Sequence, residues 1–210
     1  MTAIRAVLGG LRERGLLDAI DPYVAQKIDL VDQATTEMTH LVEDLLLLTR
    51  LDQALPDKNH WVQFDLSELI EDLLALYQDR ASNQHVHLRS SIEQHSLIKG
   101  NPDQIRRLIS NLLVNALQYT PENRGIDISV SQESANIVIR VEDEGKGIAP
   151  EHRSLIFERF WQAETARSSP TAGLGLSIVR SIASVHGGSV EAQAGRSGGC
   201  RIVVHLPAAS

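Results

Sequence analysis

Asn101-Pro-Asp-Gln-Ile-Arg-Arg-Leu-Ile-Ser-Asn-Leu-Leu-Val-Asn-Ala-Leu-Gln-Tyr119, followed by Thr120-Pro121, is the stretch around which the rest of the chain has to be built. Pro102 directly after Asn101 predicts a helix start, with an N-cap and a proline at the first helical position. Ile105, Ile109, Leu112 and Ala116 form one apolar stripe, which Leu108, Leu113 and Leu117 widen until most of the circumference is apolar. Such a helix is mostly buried. On its remaining face Asn111, Asn115 and Gln118 fall at i, i+4 and i+7, so their carboxamides line up. Asparagine competes for backbone hydrogen bonds inside a helix, so two of them one turn apart require a reason. Ligand contact supplies one, and a plain solvated stripe supplies another.

Working outward, the flanking segments have the grammar of a sheet covered by helices. Asp65 and Glu68 read as a capping box ahead of Leu66, Leu69, Ile70, Leu73, Leu74 and Tyr77, a helix with one apolar face. Val86, Leu88 and Ile92 predict a strand, and Leu97 to Lys99 a shorter one. Ile126, Ile128 and Val130 alternate, as do Ile137, Ile139 and Val141, in a hairpin arrangement about Gln132 to Asn136. A helix is expected from about Gly173 to His186, stopping at Gly187-Gly188, and a second hairpin follows through Val190 to Leu206. Helices on one side of a largely antiparallel sheet make a two-layer α+β domain.

The first quarter of the chain is different. Ile4, Val7, Leu8 and Leu11 make a short helical stripe, and Val24, Ile28, Val31, Thr35, Met38, Val42, Leu45 and Leu48 a longer one with steps near 3.5. Asp21-Pro22 marks the start of the second helix. Two such helices form an antiparallel hairpin with too little core to stand alone, and the narrow seam predicts a homodimer closing a four-helix bundle. Packing onto the rest of the same chain is the alternative. The helical period is lost around Pro56 to His60, so the expected organisation is a dimerisation hairpin at 1–54, a linker at 55–64 and an α/β sandwich with a mixed, mostly antiparallel sheet at 65–210.

Two glycine-bearing turns sit between these elements. Val141 ends a strand and leads into Glu142-Asp-Glu-Gly-Lys-Gly-Ile148, where Gly145 and Gly147 let a flat ligand approach backbone while Asp143 accepts a hydrogen bond. Taken alone, this is also a common acidic turn. Gly173-Leu174-Gly175-Leu176 leads into the next helix, and glycines at a helix N-terminus present free N–H groups and the positive dipole end to an anion such as phosphate. Between them, 148–172 carries Phe157, Phe160 and Trp161 and then a polar stretch from Glu164 to Thr171, the form of a lid.

Composition limits what the chain does. Its 210 residues are 42% apolar, 22% charged and 4% aromatic, which excludes fibrous, disordered and disulfide-framework classes. A net charge of −7 gives no field for holding polyanions, so nucleic acid is not an expected partner. The longest aliphatic run, Leu45 to Leu48, is far short of a membrane span of roughly 20 residues. With a lone Cys200 and no signal-peptide pattern, the expected location is the cytoplasm.

The order and spacing of these pieces resemble the sensor histidine kinases, within the ATPase superfamily that includes gyrase and mismatch-repair ATPases. Leu108-x-x-Asn-Leu-Leu-x-Asn-Ala-x-x-Tyr-Thr-Pro is similar to the N box, Asp143-Glu-Gly-Lys-Gly to the first glycine box, Phe157-Glu-Arg-Phe160 to the F box, and Gly173-Leu-Gly-Leu to the second glycine box. The resemblance covers about Phe64 to Pro207, and Ile4 to Asp52 resembles the dimerisation hairpin. It implies an ATP site drawn from Asn111, Asn115, Gln118, Tyr119, Asp143, Gly145, Gly147, Ile148, Phe160, Gly173, Leu174, Gly175 and Leu176. Asp143 would accept from the adenine amino group and Asn115 would ligate Mg²⁺, while Asn111 stands where ATP-hydrolysing relatives carry a general-base glutamate. Mg²⁺ needs only one or two protein oxygens, and an amide at 111 cannot take a proton from water, so the γ-phosphoryl is kept for a better nucleophile. In the family that nucleophile is a hairpin histidine, and the phosphoryl group then passes to the receiver domain of a response regulator.

The chain departs from the family pattern in several places. Met1-Thr-Ala-Ile-Arg resembles the residues that follow the phosphoacceptor box His-Glu-Leu-Arg-Thr-Pro, so the acceptor histidine is missing and self-phosphorylation is not expected. His40 lies on the second hairpin helix without the expected neighbours, His85, His87, His95 and His186 read as surface or helix-end residues, and none has zinc spacing. Gln118 and Gln162 replace the family's Lys or Arg, Pro170 and Thr171 replace glycines, and Arg159 and Arg167 are the cations left to compensate, which predicts modest nucleotide affinity. A non-catalytic nucleotide-sensing module is therefore the alternative to a kinase, and a serine kinase or ATPase of the same superfamily a further one.

Overall fold

The computed structural model describes residues 22–52, 60–162 and 172–209. The first hairpin helix, its link to Asp21, most of the polar boundary after Pro56, and the lid stretch with Arg167, Pro170 and Thr171 lie outside them. The chain divides into two compact units, Met1–Leu47 and Leu48–Ser210.

In the first unit the described residues belong to helix α1, Pro22–Asp52, whose last turns fall in the second unit. Of the seam residues within the first unit, Thr35 is buried and Ile28 half-buried, whereas Val24, Val31, Met38, Val42 and Leu45 are exposed. Leu48, counted with the second unit, is buried.

The second unit is a two-layer α+β domain. Strand β1 (Val62–Asp65) precedes α2 (Leu66–Asn83), then β2 (His87–Ile92), β3 (Leu97–Gly100), α3 (Pro102–Tyr119), β4 (Gly125–Glu133) and β5 (Asn136–Asp143). Short 3₁₀ turns at Pro150–His152 and Leu155–Phe157 lead toward α4 (Gly175–Val185), β6 (Ser189–Ala194) and β7 (Cys200–Pro207). The main sheet runs β2-β4-β5-β7-β6, parallel between β2 and β4 and antiparallel elsewhere, and β1 pairs antiparallel with β3 in a separate small sheet. Val62 to Phe64, within the stretch read as linker, belong to that small sheet.

Local chemistry explains the element starts. Asp65 caps α2 by accepting from Ser67 N at 2.9 Å and from the Ser67 hydroxyl. Asn101 caps α3 by accepting from Asp103 N at 3.0 Å and Gln104 N at 3.2 Å, with Pro102 at the first turn. Ile105, Leu108, Ile109, Leu112, Leu113, Ala116 and Leu117 of α3 are all buried, as are the alternating residues Ile126, Ile128 and Val130 of β4, Ile137, Ile139 and Val141 of β5, and Ile202, Val204 and Leu206 of β7. Helix α4 begins two residues later than its glycine pattern predicts, because Gly173 adopts a left-handed φ of 72° that a helix does not accommodate.

One histidine departs from its expected surface role. His186 does end α4, but it is only 5% exposed. Its Nδ1 lies 2.8 Å from Ile182 O, its Nε2 accepts from Asn101 N at 3.1 Å, and its ring stacks on Trp61 with centroids 4.9 Å apart. Those partners define a neutral ring with the proton on Nδ1. It therefore ties the end of α4 to the cap of α3. His85, His87 and His95 are exposed, as expected.

Burial lowers the pKa of His186 below its ordinary value. The unfolded chain thus takes up this proton first, so the stability contributed is complete above about pH 6.5 and is lost as pH falls below it. Urea midpoints measured from pH 7.5 down to 5.5 should drop for the native chain and drop less steeply for His186→Gln; equal slopes would contradict the assignment.

Candidate functional site

The alternation that buries Ile137, Ile139 and Val141 continues one step further, to Asp143, which is 6% exposed at the end of β5. A buried carboxylate must be hydrogen-bonded. Gly145 N donates to Asp143 Oδ1 at 2.9 Å and Cys200 N to the same oxygen at 3.3 Å. Burial nonetheless holds this carboxyl above its ordinary pKa.

Bare backbone surrounds this residue. A Cβ on Gly145 would lie 2.4 Å from the Tyr119 carbonyl oxygen, one on Gly147 2.5 Å from Gly198 O, and one on Gly199 1.8 Å from Asp143 O. Gly147 also has a φ of 69°. The first glycine turn is thus clamped between the end of α3 and the turn joining β6 to β7. That second turn, Gly195-Arg-Ser-Gly-Gly-Cys200, reads in the sequence only as a hairpin link; its glycines are the signal that would have identified it. Cys200, whose backbone N–H serves Asp143, has its own thiol buried and pushed up to about 12 by that burial, with the Asp143 charge adding to it.

On the other side, Asn111 and Gly175 meet. A Cβ at Gly175 would be 3.7 Å from Asn111 Oδ1, an ordinary contact, so the start of α4 faces the amide. Among the described residues, Asn111 Nδ2 is buried without a hydrogen-bond partner. Leu174, the buried N-cap residue, provides no side-chain cap, and no acidic residue stands in the first turn of α4. An uncapped helix N-terminus and an unused amide donor together suit an anion. Asn115 and Gln118 follow on the same α3 face, both half-buried. Tyr119, whose hydroxyl pKa is raised by burial, ends the helix with Lys146 Nζ 5.8 Å from its ring centroid.

A backbone contact ties Phe160 to the second glycine turn. Phe160 N donates to Gly173 O at 3.0 Å, and Phe160 itself has a φ of 62° and is 60% exposed. Ile148 and Leu176 are half-buried. No described group of His, Cys, Asp and Glu is arranged to hold a metal.

The chain as a whole is similar to known proteins. Residues 100–210 fit the model of the histidine kinase-, DNA gyrase B- and HSP90-like ATPase family. The sensor histidine kinase RppB of Synechocystis sp. is 33% identical over 189 residues, 89% of this chain and 41% of its own length. The sensor protein kinase PmrB of Pseudomonas aeruginosa is 34% identical over 210 residues, covering 97% and 43%. The chain belongs to the histidine kinase-, DNA gyrase B- and HSP90-like ATPase family, with strong homology to sensor histidine kinases.

Among solved structures, full-length ShkA in complex with AMPPNP matches with a TM-score of 0.80 at 25% identity, covering 100% of this chain and 44% of that one. The mycobacterial histidine kinase MprB matches with a TM-score of 0.62 at 28% identity, over 70% and 97%. The chain spans about two fifths of the curated histidine kinases it matches. Residues 100–210 thus form an ATPase domain of the kind shared by histidine kinases, DNA gyrase B and HSP90. No described helix is long and apolar enough to cross a membrane.

The two glycines of the β6–β7 turn separate steric from conformational cost. Gly199→Ala should destabilise by about 3 kcal/mol, because a methyl would have to displace the Asp143 backbone. Gly198→Ala, at a φ of 85° with open space around it, should cost only about 1 kcal/mol. Denaturant unfolding of the two variants measures the difference, and equal costs would refute the clamp.

Proposed function

We propose that this chain binds ATP with Mg²⁺ between α3 and the two glycine turns and uses it to phosphorylate a histidine. The half-buried Asn111 side chain beside the uncapped start of α4, its Nδ2 unpartnered among the described residues, carries this reading. The residues fit the ligand's parts. Asp143 Oδ2 accepts from the purine amino group, Gly145 lets the ring lie against backbone, and the N–H groups at the start of α4 receive phosphate oxygens. The Asn115 carbonyl oxygen supplies the protein ligand to Mg²⁺, which neutralises phosphate charge when bound.

Residue 111 decides the fate of the γ-phosphoryl. Its amide donates to phosphate and takes no proton from water, so hydrolysis is slow. In the transfer, an imidazole nitrogen forms the new N–P bond as the β–γ bridge P–O bond breaks, and ADP leaves with the electron pair. The phosphoryl group then passes to an aspartate of a response-regulator receiver domain.

The remaining organisation follows from α1. Its exposed Val24, Val31, Met38, Val42 and Leu45 support a seam closed by a second copy, with 1–54 as the dimerisation hairpin, 55–64 as linker and 65–210 as the ATP-binding domain, acting in the cytoplasm. These 210 residues contain no His-Glu-Leu-Arg-Thr-Pro box. Gln118 and Gln162, uncharged where relatives carry cations, favour the second reading of a nucleotide-sensing module without transfer.

Incubation with γ-labelled ATP and Mg²⁺, with and without a histidine-bearing hairpin from a relative, separates these readings. Label on the added hairpin and none on the chain is expected; binding without label supports the sensing module, and free phosphate an ATPase. In calorimetry, Asn115→Ala should abolish Mg²⁺-dependent ATP binding while leaving the melting temperature within a few degrees. Unchanged affinity would remove Asn115 from the site.

A further inference from the structure

Three consecutive carboxylates, Glu142, Asp143 and Glu144, end β5 and begin the first glycine turn. Strand alternation sends Asp143 to the helix-covered face and Glu142 to the opposite one, where Glu142 stands across the ladder from Arg201. Glu142 Oε2 accepts from Arg201 Nε at 2.7 Å and Nη2 at 2.5 Å, and its Oε1 accepts from Arg196 N. Of the described arginine–carboxylate pairs this is the least exposed. Both arginines flank the glycine turn whose Cys200 N–H reaches Asp143.

Glu144 makes the mirror arrangement toward the other neighbour. Its Oε2 accepts from Gly125 N at 2.9 Å and its Oε1 from Arg89 Nη2 at 2.8 Å. Arg89 reaches across β2 and β4, binding Asp127 through Nε at 2.7 Å and Nη2 at 2.8 Å. The bare Gly125 makes room for it, since a Cβ there would lie 2.3 Å from Arg89 Nη2. The two glutamates therefore hold the chain on either side of Asp143, one to β7 and its turn, the other to the start of β4 and to β2.

We infer that Glu142 and Glu144, gripped by Arg201 with Arg196 and by Arg89, are positioning residues that fix the rotation of Asp143 about the strand and thereby set the preference for a purine bearing a 6-amino donor. The inference rests on the reading that Asp143 accepts from that amino group. Charge-assisted bonds on both flanks restrict the carboxylate to one orientation, and Oδ2 keeps one direction in which to accept. A base with a 6-oxo group offers no donor there and gains nothing from this orientation.

Calorimetric titration of the full chain with Mg·ATP and Mg·ITP tests this. The native chain should bind ATP more tightly than ITP. Glu142→Ala and Arg89→Ala should each weaken ATP binding about tenfold while ITP affinity stays within about twofold, so that the ATP/ITP ratio collapses. Glu142→Gln, which retains an acceptor oxygen, should restore part of the ratio. Arg89 is half exposed, so its variant remains informative if Glu142→Ala does not fold. An unchanged ratio, or equal weakening of both nucleotides, overturns the inference. Asp143→Ala runs in parallel: if it leaves the ratio intact, the base-recognition reading itself fails and the inference with it, whereas collapse there without collapse in the flanking variants refutes the positioning role alone.

Discussion

A carboxylate kept out of water at the end of a central strand is the constraint from which the rest of this molecule follows. Asp143 continues the inward alternation of Ile137, Ile139 and Val141, so the geometry that builds the core also buries a charge. Leaving such a group unsatisfied costs more than most single contacts return. The surrounding chain is shaped accordingly. Gly145 brings one N–H, the β6–β7 turn brings another, and Gly199 must lack a side chain for that turn to come close enough. One residue thereby couples the end of α3, the first glycine turn and the last hairpin.

The helical layer has an asymmetry of its own. Asn111 meets Gly175 at the start of α4, and Asn101 meets His186 at its end, so α3 and α4 run antiparallel with unlike junctions. At the His186 end both ring nitrogens are engaged and Trp61 covers the ring. At the Asn111 end, among the described residues, an amide donor lacks a hydrogen-bond partner and the helix N-terminus lacks a side-chain cap. Stability is concentrated at one junction and polar capacity left at the other, the distribution expected where a ligand completes the structure.

Much of this was legible in the residues. Asn101-Pro102 and Asp65 cap helices where capping chemistry says they should, and the alternating Ile126 to Val130 and Ile137 to Val141 lie on one buried face as period-2 patterns require. Parallel pairing of β2 with β4 was not, because periodicity does not encode strand direction. The helix-end place of His186 was legible and its burial was not, because that depends on Trp61 and Asn101, far away in the chain, and sequence spacing carries no such information. The service of the Gly195–Cys200 turn to Asp143 was hidden for the same reason: the partners are 57 positions apart. Within the candidate site, residue types were readable and the meeting of Asn111 with Gly175 was not.

The solitary cysteine gains an unplanned use from its place. Its sulfur is enclosed and holds its proton far above neutral pH, so alkylating reagents meet neither an accessible atom nor a thiolate while the strands stay paired. Only molecules in which the last hairpin has parted from β5 expose it. The chain therefore carries a native chemical clock: the rate at which this thiol is consumed counts openings of the sheet beside Asp143, without any introduced label.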